Sequence, residues 1–401
     1  MRWIIAVGIV LCAMRGIDTA ALGQGTFTLE FRESTPQQDP ALEETMRFCD
    51  GSNTLPPGMK APQGLPQKFR CFRFGPPDSA VWLIAVSGDK PVLYADVDRT
   101  GDLSKATAIA GSRDESSTLF EPVTLTVSDG RKVRVRFLSH SNKSDQPLGC
   151  LHAVPAGYRT GKVKLGEKVY AVALIDGNLN GLYNDPFVGP YYQDRNMDAL
   201  AIDRNGDGKF DAFDPDKPSP EWSPLAKGLA ADGKFYTVTV AADGSQIEIA
   251  AAQPKYGNLA LGPHQVTVTA FSDFGLFRIE AKGQPARIPA GRYSTVSGGL
   301  VANDGKDDWR LQLGRDTGPT ATFTVNADET LSLPLGPPFV PSAKVTVSER
   351  EVSFDYLLQG RSGEVYNAGA ILKGSTRLQP PRLEVLDPGG KVIYSAAFEF
   401  G

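Results

Sequence analysis

Short runs of β-branched and aromatic residues, each closed off by glycine, proline or aspartate, recur along most of the chain and leave little room for helix. Val81-Trp82-Leu83-Ile84-Ala85-Val86, Val123-Thr124-Leu125-Thr126-Val127, Phe235-Tyr236-Thr237-Val238-Thr239-Val240 and Val266-Thr267-Val268-Thr269-Ala270-Phe271 are of this kind. Such residues suit a pleated surface with buried faces. Ser128-Asp129-Gly130-Arg131, Ala242-Asp243-Gly244-Ser245 and Asp387-Pro388-Gly389-Gly390 stand between runs, and Asp-Gly supplies the left-handed conformations of tight hairpins. Only residues 39–46 read as a helix, with Asp39 as cap and Pro40 in the first turn. The expectation is an all-β protein of antiparallel sheets or sandwiches.

Where three of these runs end, the turn chemistry becomes specific. Asp203-Arg204-Asn205-Gly206-Asp207-Gly208-Lys209-Phe210-Asp211-Ala212-Phe213-Asp214 places oxygen side chains at positions 1, 3, 5, 9 and 12 and glycine at 6. Calcium takes six to eight hard oxygens, roughly 2.3 to 2.6 Å away, and a short loop delivers them only if alternate side chains converge while the backbone turns sharply. Asp203, Asn205 and Asp207 would offer side-chain oxygens, Lys209 its carbonyl, Asp211 a direct or water-mediated contact and Asp214 the closing carboxylate. Four like charges so close repel one another, and a cation would offset them. The competing reading is an Asp- and Gly-rich turn whose Asx side chains cap backbone N–H groups and hold no metal.

Two segments repeat the spacing with fewer charges. The second has Asp176, Asn178, Asn180 and Asn184 at positions 1, 3, 5 and 9 and Gly181 at 6; Phe187 occupies position 12, so Asp185 stands in for it. Its lower charge predicts weaker binding. The first has Asp96, Asp98 and Thr100 at positions 1, 3 and 5, Gly101 at 6 and Ser104 at 9. Position 8 is apolar in all three, as Leu103, Tyr183 and Phe210.

These dozen-residue stretches resemble the calcium loop of EF-hand and dockerin-type proteins, and nothing else in the chain does. The resemblance implies Ca2+ as the bound cofactor. The flanks depart from that family: residues 168–175 form a β-rich run, 198–202 is too short for a helix of ordinary length, and Pro186, Pro190, Pro215, Pro218 and Pro220 crowd the exits. The sites therefore read as calcium loops between strands, with an ion that is structural or buffered rather than a helix-opening switch.

With 401 residues, 41% hydrophobic and 22% charged, the chain can bury two or three cores. A formal net charge of −4 argues against a nucleic-acid partner. The alternating basic run 131–136 reads as the solvated face of a hairpin. Arg2, an apolar stretch from Trp3 to Met14 and small residues at Ala20, Ala21 and Gly23 read as an export signal over 1–23, which points to a secreted or periplasmic protein. No later apolar run reaches about 18 residues, so no transmembrane segment is expected. Cys49, Cys71 and Cys150 then remain; a Cys49–Cys71 bridge would staple a proline-rich loop, and Cys150 reads as a buried thiol.

The expected division is a proline-rich segment with one short helix over 24–79, a β-rich unit carrying the loops over 80–284, and an immunoglobulin-like β-sandwich over 285–401. The three histidines after the signal, His140, His152 and His264, form no metalloprotease pattern, and nucleophile elbow, phosphate loop and dinucleotide fingerprint are missing. A non-enzymatic structural, scaffolding or binding role, with a cell-surface or extracellular protein or glycan as partner, is the leading function. The runner-up is a carbohydrate-active protein, hydrolase or lectin-like, with Phe187, Tyr191 and Tyr192 as a sugar-stacking platform; aromatics filling their own loop's core are the plainer reading.

Overall fold

The computed structural model describes residues 25–52, 54–66, 69–75, 80–114, 116–127, 129–140, 148–188, 196–214, 220–314, 318–349 and 351–399. The expected signal, Ser128 of the first hairpin turn, Pro190, Tyr191, Tyr192, Pro215 and Pro218 lie outside them. The protein is all-β, 53% strand and 4% helix. The short apolar runs become strands: Val81–Val86, Val123–Thr126, Lys234–Val240 and Gln265–Ser272. The expected helix is a short 3-10 helix, Pro40–Thr45, and the side chain of Asp39 at its N-terminus makes no capping bond. Its buried carboxylate instead accepts hydrogen bonds from Ser34 Oγ at 2.5 Å and Tyr158 Oη at 2.8 Å.

A ten-stranded antiparallel sheet forms the N-terminal part. Residues 47 and 48 pair with the His152–Pro155 strand while residues 50–52 pair with Phe69–Phe74, so the sheet closes on itself into a barrel. Its interior holds Phe72, Leu83, Leu93, Phe120, Val135 and Phe137, all with essentially no exposure. Burying each such side chain is worth about 1.5–3 kcal/mol. The barrel explains why Cys49 and Cys71 do not bridge. Successive side chains on a strand face opposite ways: Cys49 packs with Phe72 inside the wall, while Cys71 joins Ile84 and Leu103 outside it. All three cysteines are free thiols, and Cys150 is half-buried. The basic run is not wholly solvated either, since Arg136 is buried and pairs with Glu33 at 2.7 Å.

Beside the barrel lies a five-stranded antiparallel sheet in the order Trp222–Pro224, Ala199–Ile202, Lys168–Ile175, Gly157–Leu165, Glu30–Glu33. Both faces of its middle are covered. Val172, Leu174, Leu200 and Ile202 pack on Tyr236, Val238, Ile247 and Ile249 of a neighbouring four-stranded sheet. Ala173, Ile175, Ala199, Ala201 and Trp222 pack on Leu42, Tyr158 and Phe210. A strand buried on both faces reads as a continuous apolar run rather than an alternating one, as 171–175 and 199–202 do.

The C-terminal core, from Leu259 to Ile371, lies among a seven-stranded sheet built on Gln265–Ser272 and Gly291–Asn303 and a three-stranded sheet built on Tyr256–Ala260. Two of the expected divisions fall inside these sheets. Phe69–Phe74 pairs with Val81–Val86 across residue 79, and Gln265–Ser272 pairs with Gly291–Asn303 across residue 284. Two further units, the Val340–Val347/Val352–Gln359 hairpin extended by Val365–Tyr366, and the Arg382–Leu386/Val392–Ala397 hairpin, complete the chain and carry most of the exposed large apolar side chains, among them Val345, Val347, Ile393 and Tyr394.

Candidate metal-binding loops

Each loop begins where a strand leaves a buried sheet: Val92–Ala95 for the first, Lys168–Ile175 for the second, Ala199–Ile202 for the third. The position-1 carboxylates are therefore drawn inward, with Asp96, Asp176 and Asp203 only 5%, 3% and 8% exposed. Burial obliges each to find donors, and each takes them from the turn it opens. Asp96 Oδ1 accepts from Thr100 N at 2.9 Å and Oδ2 from Gly101 N at 2.8 Å. Asp176 accepts from Asn180 N at 3.1 Å and Gly181 N at 2.8 Å. Asp203 accepts from Gly206 N at 2.6 Å and Gly208 N at 3.0 Å.

The backbone turn is common to all three. Position 4 is left-handed in each, at φ 53° for Arg99, 58° for Leu179 and 78° for Gly206. Position 6 is left-handed too, at 72°, 78° and 80° for Gly101, Gly181 and Gly208, which is why glycine stands there every time. The apolar position 8 plugs each loop into a core. Leu103 is fully buried beside Cys71 and Ile84, Phe210 meets Tyr158 edge-on at 5.4 Å, and Tyr183 packs on the cluster around Ile247.

The remaining oxygens divide between loop and solvent. In the third loop Asn205 Oδ1 accepts from Asp207 N at 2.8 Å and Asp207 Oδ1 from Lys209 N at 2.9 Å, while Asp211 and Asp214 are half-buried beyond them. In the second, Asp185 Oδ2 accepts from Asn178 Nδ2 at 2.9 Å and Asn180 Nδ2 at 2.6 Å, which brings these three together; Asn184 points out to solvent. In the first, Asp98 is exposed, Thr100 Oγ1 donates to Asp96 at 3.2 Å, and Asp102 accepts from Ser104 N at 3.0 Å. Among the described residues no three Asp, Glu, His or Cys side chains converge tightly enough to hold a metal as they stand.

Two carboxylates absent from the loop spacing brace the loops from outside. Glu221, buried just ahead of the Trp222–Pro224 strand, accepts from Arg204 N at 2.9 Å, Asn205 N at 3.2 Å and Asp211 N at 3.1 Å, so one side chain ties both ends of the third loop. Asp198, fully buried just ahead of Ala199–Ile202, accepts from Gly177 N at 3.2 Å and Asp185 N at 2.7 Å and does the same for the second. An acid directly before a strand carries no local signal of this role; only the strand order brings it to the loop.

The donor set fits a hard cation. It is all oxygen, and an ionised carboxylate has about four lone-pair sites, of which the turn uses three at Asp96 and at least two at Asp176 and Asp203. Around the second loop, burial pushes Asp198 up to about 8, with the charges of Asp176 and Asp185 adding to it. Burial likewise raises Asp176 to about 6, although N–H groups of its turn pull the other way. Arg131 is a cation whose charge interacts with Asp176 and Asp185 there.

Phe187 does not present a free ring: it meets Phe271 edge-on at 4.7 Å, as a core-filling aromatic does. The chain matches no family model, no curated protein and no solved structure in comparisons with each.

Proposed function

We propose that this chain is an exported, calcium-binding all-β protein in which the ion stabilises loops between strands, in a structural, scaffolding or binding role. The observation that carries the reading is the repeated turn: three strand ends open with a buried aspartate, left-handed positions 4 and 6, and an apolar plug at 8. Asn205 and Asp207 each cap one backbone N–H, which leaves further lone pairs on their oxygens, and Asp211 and Asp214 continue the oxygen spacing of a calcium loop. Asp203, Asn205, Asp207, the Lys209 carbonyl, Asp211 and Asp214 would hold the first ion, and the second loop a weaker one. The ion would supply charge compensation and no chemistry. Export rests on the apolar run from Trp3 to Met14, and the C-terminal sheets from Tyr256 onward, read as an immunoglobulin-like scaffold, complete the proposal.

Calcium bound to the folded state alone raises stability by mass action, by about 2.7 kcal/mol per site at a hundredfold excess over Kd. Scanning calorimetry with saturating calcium should therefore give a higher Tm than with EDTA, and titration calorimetry should register heat. Asp203→Ala with Asp207→Ala should remove the tightest site. Equal melting temperatures with calcium and EDTA, together with no heat, would sink the reading.

A further inference from the structure

We infer that the Val340–Val347/Val352–Gln359 and Arg382–Leu386/Val392–Ala397 hairpins form an interface through which two copies of this chain pair about a twofold axis. The register of the first hairpin is where this begins. Val345 stands opposite Phe354, Val347 opposite Val352, Ala343 opposite Tyr356 and Pro341 opposite Leu358, and residues directly opposite in an antiparallel pair share a face. One face of the hairpin is therefore apolar from end to end, while the other holds Ser342, Thr346, Ser353 and the opposed Lys344 and Asp355. A sheet with one apolar face has to cover it. Here the cover stops halfway: Leu358 is 8% exposed and belongs to the C-terminal core, whereas Val345, Val352 and Val347 are 53%, 53% and 71% exposed.

The second hairpin pairs with no third strand among the described residues, an arrangement marginal in water unless it packs on something. Its Leu383, Val385, Tyr394 and Ala396 line a groove of about 610 Å³ together with Val352 and Phe354 of the first. Val345 and Val347 do not line that groove; they run beside it on the same face, so each molecule presents an apolar ridge next to an apolar groove. A twofold axis lays the ridge of each copy into the groove of the other, the self-complementary match of a closed dimer. Glu399 is the one charged residue lining the groove, so this pairing sets no cluster of like charges at its centre. The uncovered apolar face offers on the order of 600 Å² per copy, the lower end of what each side of a specific interface buries. Pro341 and Lys344 blunt the open edge of Val340–Val347, which favours packing face to face over pairing edge to edge.

Sedimentation velocity of the full chain in calcium buffer, from micromolar to submillimolar protein, tests it. The chain should pass from monomer to a discrete dimer. Val345→Asp combined with Val347→Asp, at positions already more than half exposed, should raise the dimer dissociation constant at least tenfold, and so should Tyr394→Asp. Thr346→Asp, on the polar face of the same strand, should leave that constant within twofold, with unaltered circular dichroism showing that every variant is folded. A monomer at all concentrations, a dimer indifferent to the double variant, or equal weakening by Thr346→Asp would overturn the interface. A monomer that enhances the fluorescence of anilinonaphthalene sulfonate, and loses that enhancement in Tyr394→Asp, would overturn it too and give the groove to a small apolar ligand. None of these residues belongs to the three loops, so this inference and the calcium reading fail separately.

Discussion

The third loop and the first share a backbone turn and differ in what holds it. Glu221 reaches the third from a neighbouring strand and accepts three N–H groups from its two ends. The first is closed from outside by a β-bridge between Lys60 and Asp102 and by the Lys60–Asp102 ion pair at 3.2 Å, with Lys60 71% exposed. Three bonds to one buried carboxylate are worth far more than an exposed ion pair contributes. The difference teaches that the turn is local chemistry, whereas its rigidity comes from the strand order, which delivers a buried acid to two loops and only a surface lysine to the other.

Substitutions in metal-free protein can break or sharpen that contrast. Glu221→Ala strands three N–H groups, and urea unfolding in EDTA should show a loss of about 3–5 kcal/mol. Asp198→Ala strands two and should lose about 2–3 kcal/mol by the same measurement. Gly177→Ala places a Cβ 2.5 Å from the Met197 carbonyl oxygen, where the chain returns toward the Ala199–Ile202 strand; a loss of about 1–2 kcal/mol is expected, with faster hydrogen exchange at Gly181. Lys60→Ala should change stability by less than about 0.5 kcal/mol. If Lys60→Ala cost as much as Glu221→Ala, the first loop would be braced as firmly as the third and the contrast would be lost.

Much of this fold can be read from residues. β-Branched runs with Asp-Gly between them give strands and hairpins, and the spacing from Asp203 to Asp214 gives the turn, down to glycine at the left-handed position 6. Barrel closure is a pairing between residues far apart in the chain, and nothing in residues 47–52 announces that both their edges are taken. That closure sets Cys49 and Cys71 on opposite sides of one wall, against the local argument for a bridge. Asp39 looked like a helix cap because its neighbours suit one; burial against Tyr158 decided otherwise. Glu221 and Asp198 escape notice for one reason, that each acts across a distance fixed only by tertiary pairing.

The Ala199–Ile202 strand spans about 13 Å, is buried along its whole length, and has the second loop's brace at its start and the third loop at its end. It behaves as a bolt secured by a nut at either end. Loosening one loop releases one end of a segment too short to hold its place by the other, so the two loops should fray and re-form as a single cooperative unit. A titrant that tightens one would then raise the affinity of its partner without any contact between them.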